Sequence, residues 1–330
     1  MASGKEIRRR IKSIKNTRKI TRAMEMVAAS KMRRAMSAVL AVRPYAHAAR
    51  GVLANLTRAF EGYESGFLEI REVKNILAII VTSNRGLCGS FNSQIIKKIK
   101  EEVENPEKLM INRIGGRKIY PAKYSQGAES RSGGQFNRVK INFITIGKKG
   151  ENAVRRMGKE IVASFPDLTY LPSIEDIRPL AKIVVGEYLA KKYDKVVVFY
   201  TDYISAISQH PKIRQILPIS QIDIEKQIAE MDVLAKDYGL DEKKADYKVE
   251  PNPREVLEYI FPRLIEMQIY HAIAESNASK ESARMMAMRN ATEAAEDMSD
   301  DLTFAYNQIR QMKITQEIAE ISAGRAALEN

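Results

Sequence analysis

The sequence predicts an α/β fold joined to a long antiparallel coiled coil, in which the N- and C-terminal helices form a shaft and an α/β domain lies between them in the chain. Three observations predict this class. No Gly or Pro interrupts the 39 residues between Gly4 and Pro44, none interrupts the 61 residues from Arg263 to Ala323, and the stretch between alternates short apolar runs with segments of helical period. Antiparallel pairing follows if the intervening domain closes the two helices at one end. The expected divisions are a shaft helix over 1–60, a central α/β domain over 75–220 with a basic insertion at 105–140, a connecting segment over 221–260, and a second shaft helix with its tip over 261–330.

In the first segment Ile7, Ile11, Ile14, Met24, Val27 and Met32 fall mostly at three- and four-residue steps, with Ile20 between them, which is the spacing of one helical face. Pro44 is compatible with a kink as well as a stop, because Tyr45 to Phe60 resumes helical spacing before Gly62. The helix is therefore expected to reach about residue 60.

In the middle, Asn75 to Thr82, Ile141 to Gly147 and Lys195 to Thr201 read as strands, and Ile216 to Ile219 as a short edge strand ended near Pro218. Asn92 to Val103, Glu151 to Phe165 and Ile174 to Lys192 read as helices. The product is a small, largely parallel, Rossmann-like sheet flanked by helices. Asn105 to Lys140 interrupts it with Gly115, Gly116, Gly133 and Gly134 and with eight Lys or Arg against two Glu. It reads as an exposed basic excursion to which no regular structure is assigned.

In the last segment Leu264, Met267, Met285, Met288, Thr292, Ala295, Leu302, Ala305, Ile309 and Met312 make a drifting stripe. At 1.5 Å per residue the segment spans ~90 Å, far beyond an ordinary packed helix. Its stripe is rich in Ala and Met, which predicts a close, adaptable seam weaker than a Leu and Ile zipper. The longer helix overhangs the shorter by ~30 Å, and the sequence leaves open at which end.

Composition narrows the function classes. A net charge of +13 points to an acidic partner, whether nucleic acid, anionic lipid or an acidic protein surface. The single cysteine, Cys88, excludes an internal disulfide. The longest apolar run, Ile76 to Val81, is far short of the ~20 residues of a membrane span, and the basic N-terminus lacks the apolar centre of a signal peptide. Charge is densest in residues 1–34, with twelve Lys or Arg and only Glu6 and Glu25 as acids. Such a face either seeks an acidic partner or is balanced across the coil by acids such as Glu275, Glu281, Glu293, Glu296 and Asp297. No aromatic residue occurs in the first 44 to stack on bases, so a basic coiled-coil scaffold for nucleic acid is the runner-up.

The chemical motifs read as structure. Gly86-Leu87-Cys88-Gly89 follows a strand but lacks the spacing of a dinucleotide loop and the Lys-Ser/Thr of a P-loop, so a tight turn is the simpler reading. Cys88 as a nucleophile needs a base, and His47, His210 and His271 lie in separate segments; a buried thiol is preferred to a degenerate enzyme site. Gly147-Lys148-Lys149-Gly150 reads as a basic turn. No metal-ligand or paired-carboxylate signature is present, and no cofactor or metal is expected.

The run from Lys5 to Met32, KEIRRRIKSIKNTRKITRAMEMVAASKM, closely resembles the opening helix of the gamma subunit family of rotary F-type ATP synthases. Thr82 to Gly89 (TSNRGLCG) is similar to that family's first strand and turn, Gln215 to Ile219 (QILPI) to a later one, and Ala283-Arg284-Met285 through Ile314 to Ile318 (ITQEI) to its closing helix. The excursion at 105–140 departs from the family's shorter connection, and the chloroplast form's regulatory cysteine pair has no counterpart.

The resemblance implies a central rotor without catalytic residues of its own, inside a hexamer of alternating alpha and beta subunits that carries the ATP chemistry, with epsilon and a membrane ring of c subunits at the base. It implies a catch on the beta subunits formed by Arg310, Gln311, Thr315 and Glu317, a contact of Met24 and Lys31 with the beta lever region, and a bearing tip over Ile314 to Leu328 that includes Ile318, Ile321 and Leu328. It further implies peripheral membrane association through the complex, on the cytoplasmic face of a bacterial plasma membrane in preference to an organellar one, and gives no role to nucleic acid.

Overall fold

A computed structural model describes residues 4–41, 65–114, 117–119, 139–166, 168, 171–219 and 253–328. The chain forms two compact units, residues 31–283 and residues 1–30 with 284–330. Helix α1 (Gly4–Ala41) and helix α6 (Pro253–Leu328) each contribute residues to both.

The unit of residues 31–283 is built on a five-stranded sheet. β1 (Asn75–Val81), β4 (Lys140–Ile146), β5 (Ile161–Phe165) and β6 (Lys195–Tyr203) are parallel, β7 (Gln209–Leu217) is antiparallel to β6, and the order is β5-β4-β1-β6-β7. β1 lies at the centre because Ile76 to Val81 is apolar on both faces, and all six residues are buried. Even and odd positions then part company. Ile76, Ala78 and Ile80 join Val197 and Phe199 under Ile95 and Ile99 of α2 (Phe91–Glu104) and Val154 of α4 (Lys148–Arg156). Leu77, Ile79 and Val81 join Val196, Val198 and Tyr200 against α5 (Ile174–Leu189) and the 261–273 stretch of α6. The result is a three-layer sandwich, with α5 started by a capping box in which Ser173 and Asp176 each accept the other's backbone N–H.

Four expectations need correction. Glu151 to Phe165 is not one helix: α4 stops at Arg156, Gly158 takes φ +64°, and Ile161–Phe165 becomes the outer parallel strand β5. A positive-φ glycine ends the helix and a β-branched pair, Ile161 and Val162, suits the edge it reaches. The edge strand near Pro218 is also longer, Gln209–Leu217, and Pro211 sits within it opposite Thr201, tolerated because an edge strand has one unpaired side. α6 begins at Pro253, inside the expected connecting segment, and carries Pro262 within it. The basic excursion contains a short helix α3 (Glu107–Met110) and an antiparallel pair, β2 (Asn112–Ile114) with β3 (Arg117–Ile119), while 120–138 lies outside the described residues, as do 42–64 and the expected helix there.

The other unit is an antiparallel helix pair. Along α1 the inward positions are Ile7, Ile11, Ile14, Arg18, Thr21, Glu25 and Ala28, and along α6 they are Met288, Thr292, Ala295, Ser299, Leu302, Tyr306 and Ile309. Steps of three and four alternate without a break, which is the 3.5-residue period of a left-handed coiled coil. The direction follows from the cross-pairs: Thr21 Oγ1 meets Thr292 Oγ1 at 2.8 Å, Arg18 reaches Glu296 at 2.7 Å, and a Cβ placed on Gly4 would lie 3.8 Å from the Tyr306 ring. Ile20 and Val27, expected in the seam, are more than half exposed. Heptad spacing assigns their seam places to Arg18, Thr21, Glu25 and Ala28, so the middle of the seam is small and polar.

Candidate functional site

Ile309 is the last residue of α6 held against α1; from Arg310 to Arg325 every side chain is exposed. Gly4 of α1 lies beside Tyr306, so the overhang left open by the sequence belongs to the C-terminal end of α6 and measures ~30 Å. At 100° per residue, Ile314, Ile318 and Ile321 fall on one ridge. Arg310 and Glu317 flank it on one side, Gln311 and Thr315 on the other. The residues expected to form the catch and the tip are thus interleaved on a single half of the helix, and Leu328 continues the spacing in sequence although its surroundings lie outside the described residues. Ile318 is 59% and Ile321 73% exposed. Lys313 approaches Glu317 at 3.9 Å, an i,i+4 pair on the open surface that contributes little.

On α1, Met24 is half-buried beside the seam and Lys31 is half-buried one residue beyond this unit. Basic side chains here are only partly balanced: Arg10 pairs with Glu6, Arg22 with Glu25, and Arg18 with Glu296 across the coil. Of the other acids expected to balance the coil, Asp297 is exposed and three are engaged elsewhere. Glu293 pairs with Arg289 of its own helix, and Glu275 and Glu281 are buried within residues 31–283 beside His271 and Lys280.

The turn at Gly147 to Gly150 is closed to anions. At the start of α4, the Gly150 N–H donates to Thr82 Oγ1 at 2.8 Å, the Lys149 N–H to Ser83 O at 3.1 Å, and the Lys148 N–H to Asn84 Oδ1 at 3.0 Å. The donors that would cradle a phosphate are already satisfied by the β1 exit. Gly147 is required there: φ is +93° and a Cβ would overlap the Thr82 carbonyl oxygen. Cys88 is buried and receives an N–H from Asn92 at 3.1 Å, with Ser83 Oγ at 3.8 Å. His210 contacts Ser208, His271 contacts Arg214 and Glu275, and His47 lies outside the described residues. Among the described residues no group of three or more His, Cys, Asp or Glu could hold a metal.

One feature was not visible in the sequence. Where α6 crosses β6 and β7 it buries charge: His271 Nδ1 lies 3.3 Å from Glu275 and 3.5 Å from Arg214, Arg214 stacks over Tyr200, and Lys212 pairs with Asp202 at 3.2 Å. Burial pushes the Glu275 carboxyl up, but His271, Arg214 and Lys212 together hold it below its ordinary value. Burial, then the Glu275 charge, pushes Asp202 the other way. Spacing carries no signal for this cluster, because its members come from two strands and a helix far apart in the chain.

A coil of two terminal helices with an exposed amphipathic overhang, in one chain with a mixed α/β unit, defines the class of helical stalk components. The family model described as ATP synthase matches residues 3–328. The chain is 39% identical over 331 residues to the ATP synthase gamma chain of Chloroflexus aurantiacus, covering 99% of each. It is 38% identical to that of Roseiflexus castenholzii and 36% to that of Legionella pneumophila, again over 99% or more of both chains. In fold it is similar to a chain of the Euglena gracilis mitochondrial ATP synthase (TM-score 0.58, 18% identity, covering 98% of this chain and 94% of that one) and to one from the Tetrahymena thermophila central stalk and c-ring (0.55, 24%, covering 82% and 99%). The chain belongs to the gamma chain family of the ATP synthases, the central-stalk rotor subunits of the F-type enzymes. Among the described residues no helix is long and apolar enough to cross a membrane.

Proposed function

We propose that this chain transmits rotation without performing chemistry, turning inside a hexamer of alternating alpha and beta subunits while epsilon and the c-ring engage its base on the cytoplasmic side of a bacterial plasma membrane. The observation that carries the reading is the overhang of α6. A single helix of some twenty residues, exposed on all sides, is marginal in water, and a ridge of isoleucine edged with hydrogen-bonding side chains needs a surrounding surface. In this reading Ile314, Ile318, Ile321 and Leu328 turn as a bearing against apolar walls, Arg310, Gln311, Thr315 and Glu317 form the catch on beta, and Met24 and Lys31 meet the beta lever. Exposed ion pairs and hydrogen bonds are each worth only ~0–1 kcal/mol, so the catch can engage and release within one turn. An asymmetric rotor makes identical sites inequivalent by biasing each one's conformational equilibrium in sequence. The test is Arg310→Ala with Gln311→Ala in the assembled complex. ATP synthesis is expected to fall about thirtyfold, with the loss of two transition-specific contacts of about 1 kcal/mol each, while the variant chain unfolds at the parent temperature. Synthesis at the parent rate would overturn the catch.

A further inference from the structure

The face that α6 turns toward the sheet changes character along its length. Phe261, Leu264, Ile265, Ile269, Ala272 and Ile273 are apolar and join the core. His271, Glu275, Ser279 and Ser282 follow at steps of four, four and three, one continuous stripe, and all four are buried. Three of them meet the β6–β7 hairpin, and Glu275 lies against His271 of its own helix at 3.3 Å. His271 Nδ1 stands 3.5 Å from the Arg214 guanidinium of β7. Ser279 donates to the Thr201 carbonyl at 3.1 Å and Ser282 to the Ala206 carbonyl at 2.7 Å. Gln209 closes the set, donating to Ser282 Oγ at 3.3 Å and to the Ala206 carbonyl at 3.1 Å.

Apolar packing is non-directional: it resists separation of helix and sheet but tolerates a small turn or slide of one on the other. Buried hydrogen bonds to backbone carbonyls at fixed heights do not, because each leaves an unpaired group when the helix turns. Buried polar sets are also the groups that best specify one register among several of similar energy. We infer that His271, Ser279 and Ser282, with Glu275 set against His271, are positioning residues that key α6 to the β6–β7 hairpin, fixing the angle of the helix about its own axis so that torque on the sheet becomes rotation of α6. The inference rests on the rotor reading for its purpose and on these contacts for its geometry.

The variant Ser279→Ala with Ser282→Ala removes two of the keys and retains the apolar packing. In a Cys88→Ser background, spin labels at Ile207→Cys on the hairpin and Tyr259→Cys on α6 report the angle as a distance distribution; both positions are exposed and lie in one unit. Losing two hydrogen bonds is expected to broaden that distribution about twofold. In the reconstituted complex the variant is expected to pump about half as many protons per ATP hydrolysed, with hydrolysis itself near the parent rate. An unchanged distance distribution would overturn the key, and a broadened one with unchanged pumping would overturn its role in torque. Failure of the parent chain to assemble with alpha and beta subunits would count against the rotor reading instead, while the distance measurement still decides the geometry.

Discussion

Gly147 and Glu275 show how single side chains decide local energetics. At Gly147 the backbone already occupies a conformation that costs other residues about 1 kcal/mol or more, and the Thr82 carbonyl fills the space of a Cβ. Gly147→Ala is expected to cost about 2–4 kcal/mol, read as a fall of several degrees in Tm. Glu275 is held below its ordinary value when folded, so the folded chain takes up its proton less readily than the unfolded one. Its stabilisation is present above the ordinary carboxylate range and is lost as pH falls through the folded value. Glu275→Gln is expected to lower stability at pH 7 and to matter progressively less in acid. Asp202 carries the opposite sign: its carboxyl is raised, so Asp202→Asn relieves a penalty at neutral pH and is expected to leave stability equal or higher. Denaturant unfolding of both variants at pH 7 and in acid checks the pair, and parallel losses for the two would contradict it.

At the scale of elements, the long helices and the inner strands were legible because each carries one strong signal, the absence of Gly and Pro or a run of apolar residues. What failed did so for physical reasons. Glu151 to Phe165 places Ala153, Val154, Met157 and Ile161 at steps a helix allows, and the positive φ of Gly158 divides it into helix and then strand. At 100° per residue Ile20 and Val27 lie about 220° and 200° round from Ile7, on the side away from the face that pairing buries, and both are exposed. The catch and tip residues were placed by resemblance, and the structure adds that they share one half of α6; their roles belong to the partners and are not written in this chain's own packing. The tail gives an element-scale expectation. Amide protons from Arg310 to Arg325 should exchange nearly freely in the isolated chain, where the helix frays, and become strongly protected in the complex. Protection in the isolated chain would mean that the tail is covered by something other than a partner.

For the whole molecule, charge governs encounter more than strength. A chain of net charge +13 is drawn to an acidic surface from a distance, and screening weakens that attraction once the Debye length falls below the separation of the charges. The association rate with isolated alpha and beta subunits is expected to fall about tenfold between low and high salt, with the dissociation rate changing little. Stopped-flow mixing across a salt series measures it, and a salt-independent rate would mean that the basic face of α1 is already neutralised within the chain.

Thr21 and Thr292 touch although 271 residues separate them in sequence. A ribosome adds about 5–20 residues each second, so tens of seconds pass between the synthesis of the first helix and the arrival of its mate. During that interval α1 has no coil to join. Its first 34 residues carry twelve positive charges against two negative, and mutual repulsion keeps such a segment apart from copies of itself on neighbouring ribosomes. The same charge therefore guards the nascent chain, and the small, polar centre of the seam lowers the cost of the wait, since it leaves little grease in water until the last helix is made.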